Sequence, residues 1–158
     1  MAQATNGAGN IPPLYLDDMQ IGDSYTSGEH ALDEAQIIAF ASQFDPQPFH
    51  LEHEAAKASM FGGLAASGWH TVAITMRLMV TSGLPIAGGI IGAGAEVQWP
   101  RPTRPGDVLH VVSEIIEIVP SKSRPDRGMV TARSTTFNQR GETVQVLTAK
   151  MVVPRRSV

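Results

Sequence analysis

Two contrasting runs decide the fold, FASQFDPQPFH at 40–50 and SGWHTVAITMRLMV at 67–80. The second run predicts a helix over Gly68–Ser82, whose apolar residues lie on two faces and so predict burial on all sides. The first run places a carboxylate and an imidazole, Asp45 and His50, on a turn whose backbone is restricted by two prolines. The sequence thus separates a core helix from a polar turn that can carry chemistry.

A shorter amphipathic helix is predicted immediately before the polar turn. Asp33 suits its N-cap, and Gln36 follows three residues later, as in a capping box. This helix must end near Phe44, since Pro46 disfavours helical geometry at the residue that precedes it.

The second half of the chain changes to strand-like patterns rich in β-branched residues. Four strands are predicted there, and a fifth before the first helix, at 24–30, 90–99, 108–119, 129–137 and 142–153. Short turns between neighbouring strands favour an antiparallel sheet with the helices on one side. The predicted fold class is therefore α+β, with the sheet curled around the helix that begins at Gly68.

Composition narrows the class of protein. The chain has 158 residues, of which 42% are hydrophobic and 17% are charged, as expected for one folded domain. The net charge of -3, without a basic block, argues against a nucleic-acid partner. The absence of cysteine excludes disulfides and thiolate metal ligands, and it favours a cytoplasmic location. No apolar run approaches the ~20 residues that span a bilayer, so no membrane partner is expected.

The domain organisation follows from the same patterns. Residues 1–13 are small, polar and proline-ended, which predicts a disordered tail that lacks the features of a signal peptide. Residues 14–154 form the predicted single domain. Residues 155–158 form a short, exposed C-terminal tail.

The polar turn offers a candidate acid–base pair. A carboxylate beside an imidazole can hold a water molecule, remove its proton and return a proton elsewhere. Asp45 and His50 are the candidates, because prolines at 46 and 48 lower the entropy cost of holding both side chains in one geometry. The alternative is that Asp45 caps a turn and His50 is an ordinary polar residue.

The start of the core helix offers a candidate anion-stabilising site. The run Ala65-Ala66-Ser67-Gly68 places small residues where backbone N–H groups and the positive end of the helix dipole are free. Glycine at 68 lets a ligand approach the backbone closely, which suits a carbonyl oxygen that gains negative charge. The alternative is that Gly68 only permits close packing between helix and sheet.

Other polar residues give weaker signals. His50 and His53 have a spacing seen in metal sites, but no third ligand completes one, so no metal is predicted. His70 is interpreted as a packed helix residue. Five basic side chains in two loops could contact coenzyme A phosphates or could form a solvated face; they are Arg101, Arg104, Lys122, Arg124 and Arg127.

The run at 40–50 strongly resembles the motif of the MaoC-like dehydratases and (R)-specific enoyl-CoA hydratases. The similarity continues through GGLAASGWH at 62–70, VQWPRP at 97–102 and RPGD at 104–107, and it covers about residues 14–154. The resemblance implies a hot-dog fold, in which an antiparallel sheet wraps a long helix. It also implies a homodimer or higher homo-oligomer with acyl-thioester sites near the subunit boundary.

The resemblance also implies roles for individual residues. Asp45 and His50 match the catalytic pair, and Gly68 matches the glycine whose N–H meets the thioester oxygen. Five further residues are candidates for substrate binding: Phe49, Ser67, Trp69, Arg101 and Arg104. Hydratases of this family often have Asn at position 47 and a smaller apolar residue at 49, so Gln47 and Phe49 bear on substrate size.

The function predicted from these observations is that of a hydro-lyase of fatty acid metabolism. It would add water to a trans-2-enoyl thioester, or remove it from the 3-hydroxyacyl product, with the (R) isomer on coenzyme A as the expected form. No cofactor is predicted, and the substrate carrier is coenzyme A or acyl carrier protein. Two alternatives are an acyl-thioesterase and a non-catalytic, dimeric acyl-thioester-binding module.

Overall fold

The computed structural model describes residues 12–157. It contains five strands, β1 Ser24–Ala31, β2 Ile91–Gln98, β3 Val108–Pro120, β4 Arg127–Phe137 and β5 Thr143–Pro154. Its α-helices are α1 Glu34–Phe44, α2 Pro48–Leu51, α3 His53–Lys57 and α4 Gly68–Leu78. A π-helical turn, Met79–Gly83, continues α4, and a single 3₁₀ turn, Leu16–Asp18, precedes β1.

All five strands form one antiparallel sheet in the order β1-β3-β4-β5-β2. The predicted strands therefore all exist, with boundaries that differ from the predictions by one or two residues. The sheet curls around α4, and the apolar core lies between them, which confirms the predicted α+β class. The strand β2 lies at the edge of the sheet and is exposed along nearly its whole length.

The helix α1 begins and ends as the sequence predicts. The Asp33 carboxylate accepts a hydrogen bond from the Gln36 N–H at 2.8 Å, so Asp33 is the N-cap. The helix stops at Phe44, before the Asp-Pro pair. One expectation was wrong: His50 lies in the short helix α2 and not on a turn, because Pro48 has a suitable φ angle for the first position of a helix.

The helix α4 is not buried on all sides, which corrects the prediction. Trp69 and Met76 are 61% and 40% exposed, and Val80 in the following π-helical turn is 54% exposed, because the sheet covers only the opposite face. Threonines occupy part of that covered face without loss of hydrogen bonds. Thr75 shares a hydrogen bond of 2.6 Å with the Thr136 hydroxyl. Polar residues can therefore replace apolar ones in this core because each hydroxyl finds a partner.

The predicted tails fall partly outside the described residues. Of the tail predicted for residues 1–13, only Pro12 and Pro13 are described. Near the other end, the Arg155 guanidinium lies 3.2 Å from the Asp17 carboxylate, and that of Arg156 lies 2.8 Å from Asp18. These two arginines thus attach the end of β5 to the segment that precedes β1.

Candidate active site

Asp45 lies at the C-terminal end of α1, where the helix gives way to the polar turn. The Gln47 side-chain amide donates a hydrogen bond of 2.6 Å to its Oδ1 atom. Burial alone would raise the pKa of Asp45, but contacts with the Ser67 hydroxyl, the Gln47 amide and His50 outweigh burial and lower the pKa below its ordinary value. Asp45 is therefore a carboxylate at neutral pH.

His50 projects from α2 and is 4% exposed. Its Nδ1 atom lies 2.6 Å from the Ala65 carbonyl oxygen. Because a carbonyl oxygen only accepts, Nδ1 carries the proton, and Nε2 of the neutral ring keeps its lone pair. Nε2 lies 3.3 Å from Asp45 Oδ2. Two acceptors that face each other need a hydrogen-bond donor between them. A protonated His50 ring can donate to Asp45, or a water molecule can donate one hydrogen to each acceptor.

Gly68 is the first residue of α4, and its N–H has no hydrogen-bond partner among residues 12–157. The Trp99 indole packs against this residue, so that a Cβ atom at position 68 would lie 2.6 Å from Trp99 Cε2. Gly68 is thus required for packing, as the alternative interpretation proposed. Its N–H is nevertheless free to donate to a ligand, so the two interpretations are compatible.

One cavity of about 340 Å³ brings most of the predicted residues together. Six of the eight candidates line it: Asp45, His50, Phe49, Gly68, Trp69 and Arg101. Ser67 does not line the cavity. Its hydroxyl is buried next to Asp45 and lowers the pKa of that carboxylate, although the two groups do not reach hydrogen-bond geometry. The position of Ser67 favours an electrostatic role behind Asp45 over direct contact with substrate.

The two candidate arginines have different surroundings. Arg101 lines the cavity and is 3.2 Å from the Glu142 carboxylate, with more than half of its side chain exposed. Arg104 does not line the cavity, and its guanidinium donates to backbone carbonyls of the segment before α4. Arg101 therefore remains a candidate for contact with a charged part of the substrate, whereas the donors of Arg104 are directed into the protein.

Three contributions to the site were not found from the sequence. The Ala65 carbonyl that holds His50 is a backbone group and leaves no signal in residue type. Trp99 carried no assigned role, although it covers Gly68. The Trp99 indole N–H donates to the Gln145 side chain at 3.0 Å, and Gln145 donates in turn to Thr75 at 2.9 Å. The one available signal was Gln145 itself, a polar amide between Val144 and Val146.

His70 is a packed residue of α4, as predicted, and is 8% exposed. Its ring stacks on Phe40 with 4.5 Å between ring centroids, and its buried Nδ1 has no hydrogen-bond partner within the described part of the chain. Burial, with a smaller contribution from His30, lowers the pKa of His70 from 6.5 to about 4. The folded protein therefore holds this imidazole in its neutral form.

Replacement of His70 by phenylalanine is expected to flatten the pH dependence of stability. Between pH 6.5 and about 4, the unfolded chain binds a proton at His70 that the folded chain does not, so acidification destabilises the folded state. The wild type should lose roughly 1 to 2 kcal/mol more than His70→Phe between pH 7 and pH 5. Urea unfolding at both pH values measures the difference. Parallel losses in the two proteins would refute the assignment of a neutral, buried His70.

Residues 12–157 contain no group of three or more His, Asp or Glu side chains that could hold a metal ion. In the same residues, no helix is long and apolar enough to cross a membrane.

Comparison with known proteins identifies the fold and the family of this chain. An antiparallel sheet of five strands curled around one helix is the hot-dog fold. The MaoC-like domain family matches residues 18–138, and the chain belongs to this family. The resemblance inferred from the motifs is therefore confirmed.

Three relatives illustrate the range of the family. The crystal structure of a MaoC-like dehydratase from Rhodospirillum rubrum has a TM-score of 0.90 and 64% identity, over 92% of this chain and 99% of that one. The uncharacterised protein YdeM of Bacillus subtilis is 31% identical over 80% of this chain and 89% of its own. A 3-hydroxybutyryl-CoA dehydratase of Methylorubrum extorquens is 26% identical over 70% of this chain and 69% of its own.

Proposed function

We propose that this chain is a hydro-lyase that adds water to a trans-2-enoyl thioester and forms a 3-hydroxyacyl thioester. The observation that carries the proposal is the pairing of His50 Nε2 with Asp45 Oδ2 at 3.3 Å, in the cavity that Gly68 also lines. Membership of the MaoC-like family and similarity to a protein named 3-hydroxybutyryl-CoA dehydratase support the same reaction class.

The proton transfers follow from the tautomer of His50. Because Nδ1 is occupied by the Ala65 carbonyl, only Nε2 can take a proton from water. The Asp45 carboxylate accepts the second O–H of the same water and orients its oxygen toward the β carbon of the substrate. A C–O bond then forms at the β carbon, and the proton taken by His50 is delivered to the α carbon, with Asp45 able to pass it. The net reaction is the addition of one water molecule.

The developing charge requires a donor at the thioester oxygen. As water attacks the β carbon, electron density moves through the conjugated bond to that oxygen. We assign its stabilisation to the N–H of Gly68, which lies at the positive end of α4. A donor of this kind contributes about 3 to 4 kcal/mol to transition-state stabilisation in a known oxyanion hole.

The stereochemistry of the product and the carrier of the acyl group are the more specific parts of the proposal. The (R) configuration and coenzyme A as carrier follow from the family resemblance rather than from distances in the site. Arg101 supports an anionic carrier, because its largely exposed guanidinium lies at the cavity wall.

A panel of trans-2-enoyl-CoA thioesters of varied length and branching tests the proposal. We expect the absorbance of the conjugated enoyl thioester to fall, and the product mass to increase by one water molecule. Chiral analysis then identifies the isomer. Release of free thiol would instead indicate the alternative thioesterase. Binding without turnover of any member of the panel would indicate a non-catalytic acyl-thioester-binding module.

A homodimer is part of the proposal, because one edge of the sheet is unprotected. The strand β2 has Glu96 as its one charged residue, and natural edge strands of this length usually carry more protection. An apolar groove of about 330 Å³ lies between β2 and α4, lined on the helix by Trp69, Val72 and Met76. Pairing with β2 of a second copy would cover both features. Light scattering should give twice the mass of one chain, and a monomer mass would contradict the dimer.

A further inference from the structure

The Arg104 guanidinium makes an unusual set of hydrogen bonds. Its Nη2 donates to the Phe61 carbonyl at 2.5 Å, and its Nη1 donates to the Gly63 carbonyl at 2.8 Å and the Leu64 carbonyl at 3.3 Å. No carboxylate lies within 4 Å of this guanidinium in the described part of the chain. All side-chain hydrogen bonds of this half-buried arginine are therefore made to backbone carbonyls, which lie some forty positions away in the sequence.

Backbone groups next to Arg104 also hold the segment 61–66, to which these carbonyls belong. The Thr103 carbonyl accepts a hydrogen bond from the Ala66 N–H at 2.9 Å. The Arg104 N–H donates to the Asp107 carboxylate at 2.8 Å, which fixes the turn that carries the guanidinium. The peptide groups on both sides of Ala65 are therefore held by residues 103 and 104.

Ala65, which these contacts hold in place, determines which ring nitrogen of His50 carries the proton. The Ala65 carbonyl accepts the Nδ1 proton of His50 at 2.6 Å, and the Ala65 N–H donates to the Phe49 carbonyl at 3.3 Å. If the segment 61–66 moved, the Nδ1 proton would lose its acceptor. The imidazole could then place its proton on Nε2, where it would donate to Asp45 and no longer act as a base toward water.

We propose that Arg104 is a positioning residue that holds the segment 61–66 in place, so that the Ala65 carbonyl keeps the His50 proton on Nδ1. Its catalytic consequence rests on the proposed hydratase function, but its effect on the His50 tautomer does not. The planar guanidinium is suited to this task because it presents several N–H donors in a fixed arrangement, which a lysine ammonium does not reproduce.

Nitrogen-15 NMR of the histidine rings, recorded without substrate, tests the proposal. In the wild type, the neutral His50 ring should show a protonated Nδ1 and an unprotonated Nε2. In Arg104→Met, a population with the proton on Nε2 should appear. The matched control is Arg133→Met, which removes an exposed arginine that pairs with Glu114 on the neighbouring strand. That control should leave the His50 signals unchanged.

Kinetics with the enoyl thioester separate positioning from contact with the substrate. Arg104→Met should lower kcat by roughly 10 to 100-fold, by analogy with the loss of a group that orients a metal-ligating histidine, and should change KM little. Arg104→Lys keeps the charge but not the planar donors, so it should resemble Arg104→Met in both the NMR and the kinetics. If Arg104→Met does not fold, Arg104→Lys alone tests the positioning role.

Three outcomes would overturn the proposal. The first is an unchanged His50 tautomer in folded Arg104→Met and Arg104→Lys. The second is a raised KM with an unchanged kcat, which would assign Arg104 to substrate binding. The third is a wild-type ring that carries its proton on Nε2. An inactive wild type would refute the proposed function alone, because the NMR comparison needs no substrate.

Discussion

His50→Asn is expected to lower the rate of enoyl-thioester hydration by about 10²–10⁴-fold, the usual contribution of a positioned acid–base group. This corresponds to about 3 to 5 kcal/mol in the activation barrier. Asparagine can still donate toward the Ala65 carbonyl but cannot accept a proton from water. The matched control is His53→Asn, three residues later, whose imidazole is half exposed and binds Glu34 at 2.7 Å on the protein surface. That control should retain the wild-type rate.

Asp45→Asn belongs to the same experiment, since the two side chains act on one water molecule. We expect a loss of similar size, and the double variant should be little slower than either single variant because the pair acts as a unit. Glu52→Gln makes the same chemical change at an exposed position outside the cavity and should leave the rate unchanged. Circular dichroism and thermal unfolding confirm that each variant is folded. Near-normal rates in folded Asp45→Asn and His50→Asn would remove the catalytic assignment.

Gly68→Ala is expected to lower kcat by about 10²–10³-fold, the loss seen when one oxyanion-hole donor is removed. The added methyl group would lie 2.6 Å from Trp99 Cε2, so the indole or the start of α4 must move. Movement of the helix start displaces the N–H from the position of the thioester oxygen, and movement of the indole changes the cavity wall beside that position. Gly28→Ala is the matched control, because a Cβ atom there meets only Ser82, at an ordinary distance of 3.5 Å.

The double variant Gly68→Ala, Trp99→Leu separates packing from catalysis at this position. Replacement of the indole removes the collision, so the stability lost in Gly68→Ala should be largely recovered, as measured by urea unfolding. If Trp99 also positions the start of α4, its replacement should keep the rate low even though stability recovers. Because alanine keeps the backbone N–H, full recovery of both stability and rate would mean that the collision with Trp99 alone causes the loss in Gly68→Ala.

Local signals in the sequence predicted the elements of the fold well. The N-cap at Asp33, the stop before Pro46 and the β-branched strands each depend on a few neighbouring residues, so their patterns are sufficient. The fold also brings Asp45, His50 and Gly68, whose order in the chain the motif fixes, to the wall of one cavity.

Predictions that depended on distant neighbours were less successful. The apolar residues of α4 do not reveal that the sheet covers one face only, so Trp69 and Met76 were expected to be buried. Arg104 was a candidate either for contact with coenzyme A or for a solvated face, because the sequence cannot show that carbonyls from residues 61–64 surround its guanidinium. In both cases the decisive partner lies far away in the chain.

The arrangement of the two tryptophans provides a built-in optical probe. Trp69 and Trp99 are the only tryptophans in the sequence, and both line the candidate cavity. Their rings meet edge to face, with 5.6 Å between centroids and an angle of 82°. All indole emission from this protein therefore originates at the cavity wall. A thioester that enters should alter the emission intensity directly, so affinity can be titrated with unlabelled protein, including variants that no longer turn over.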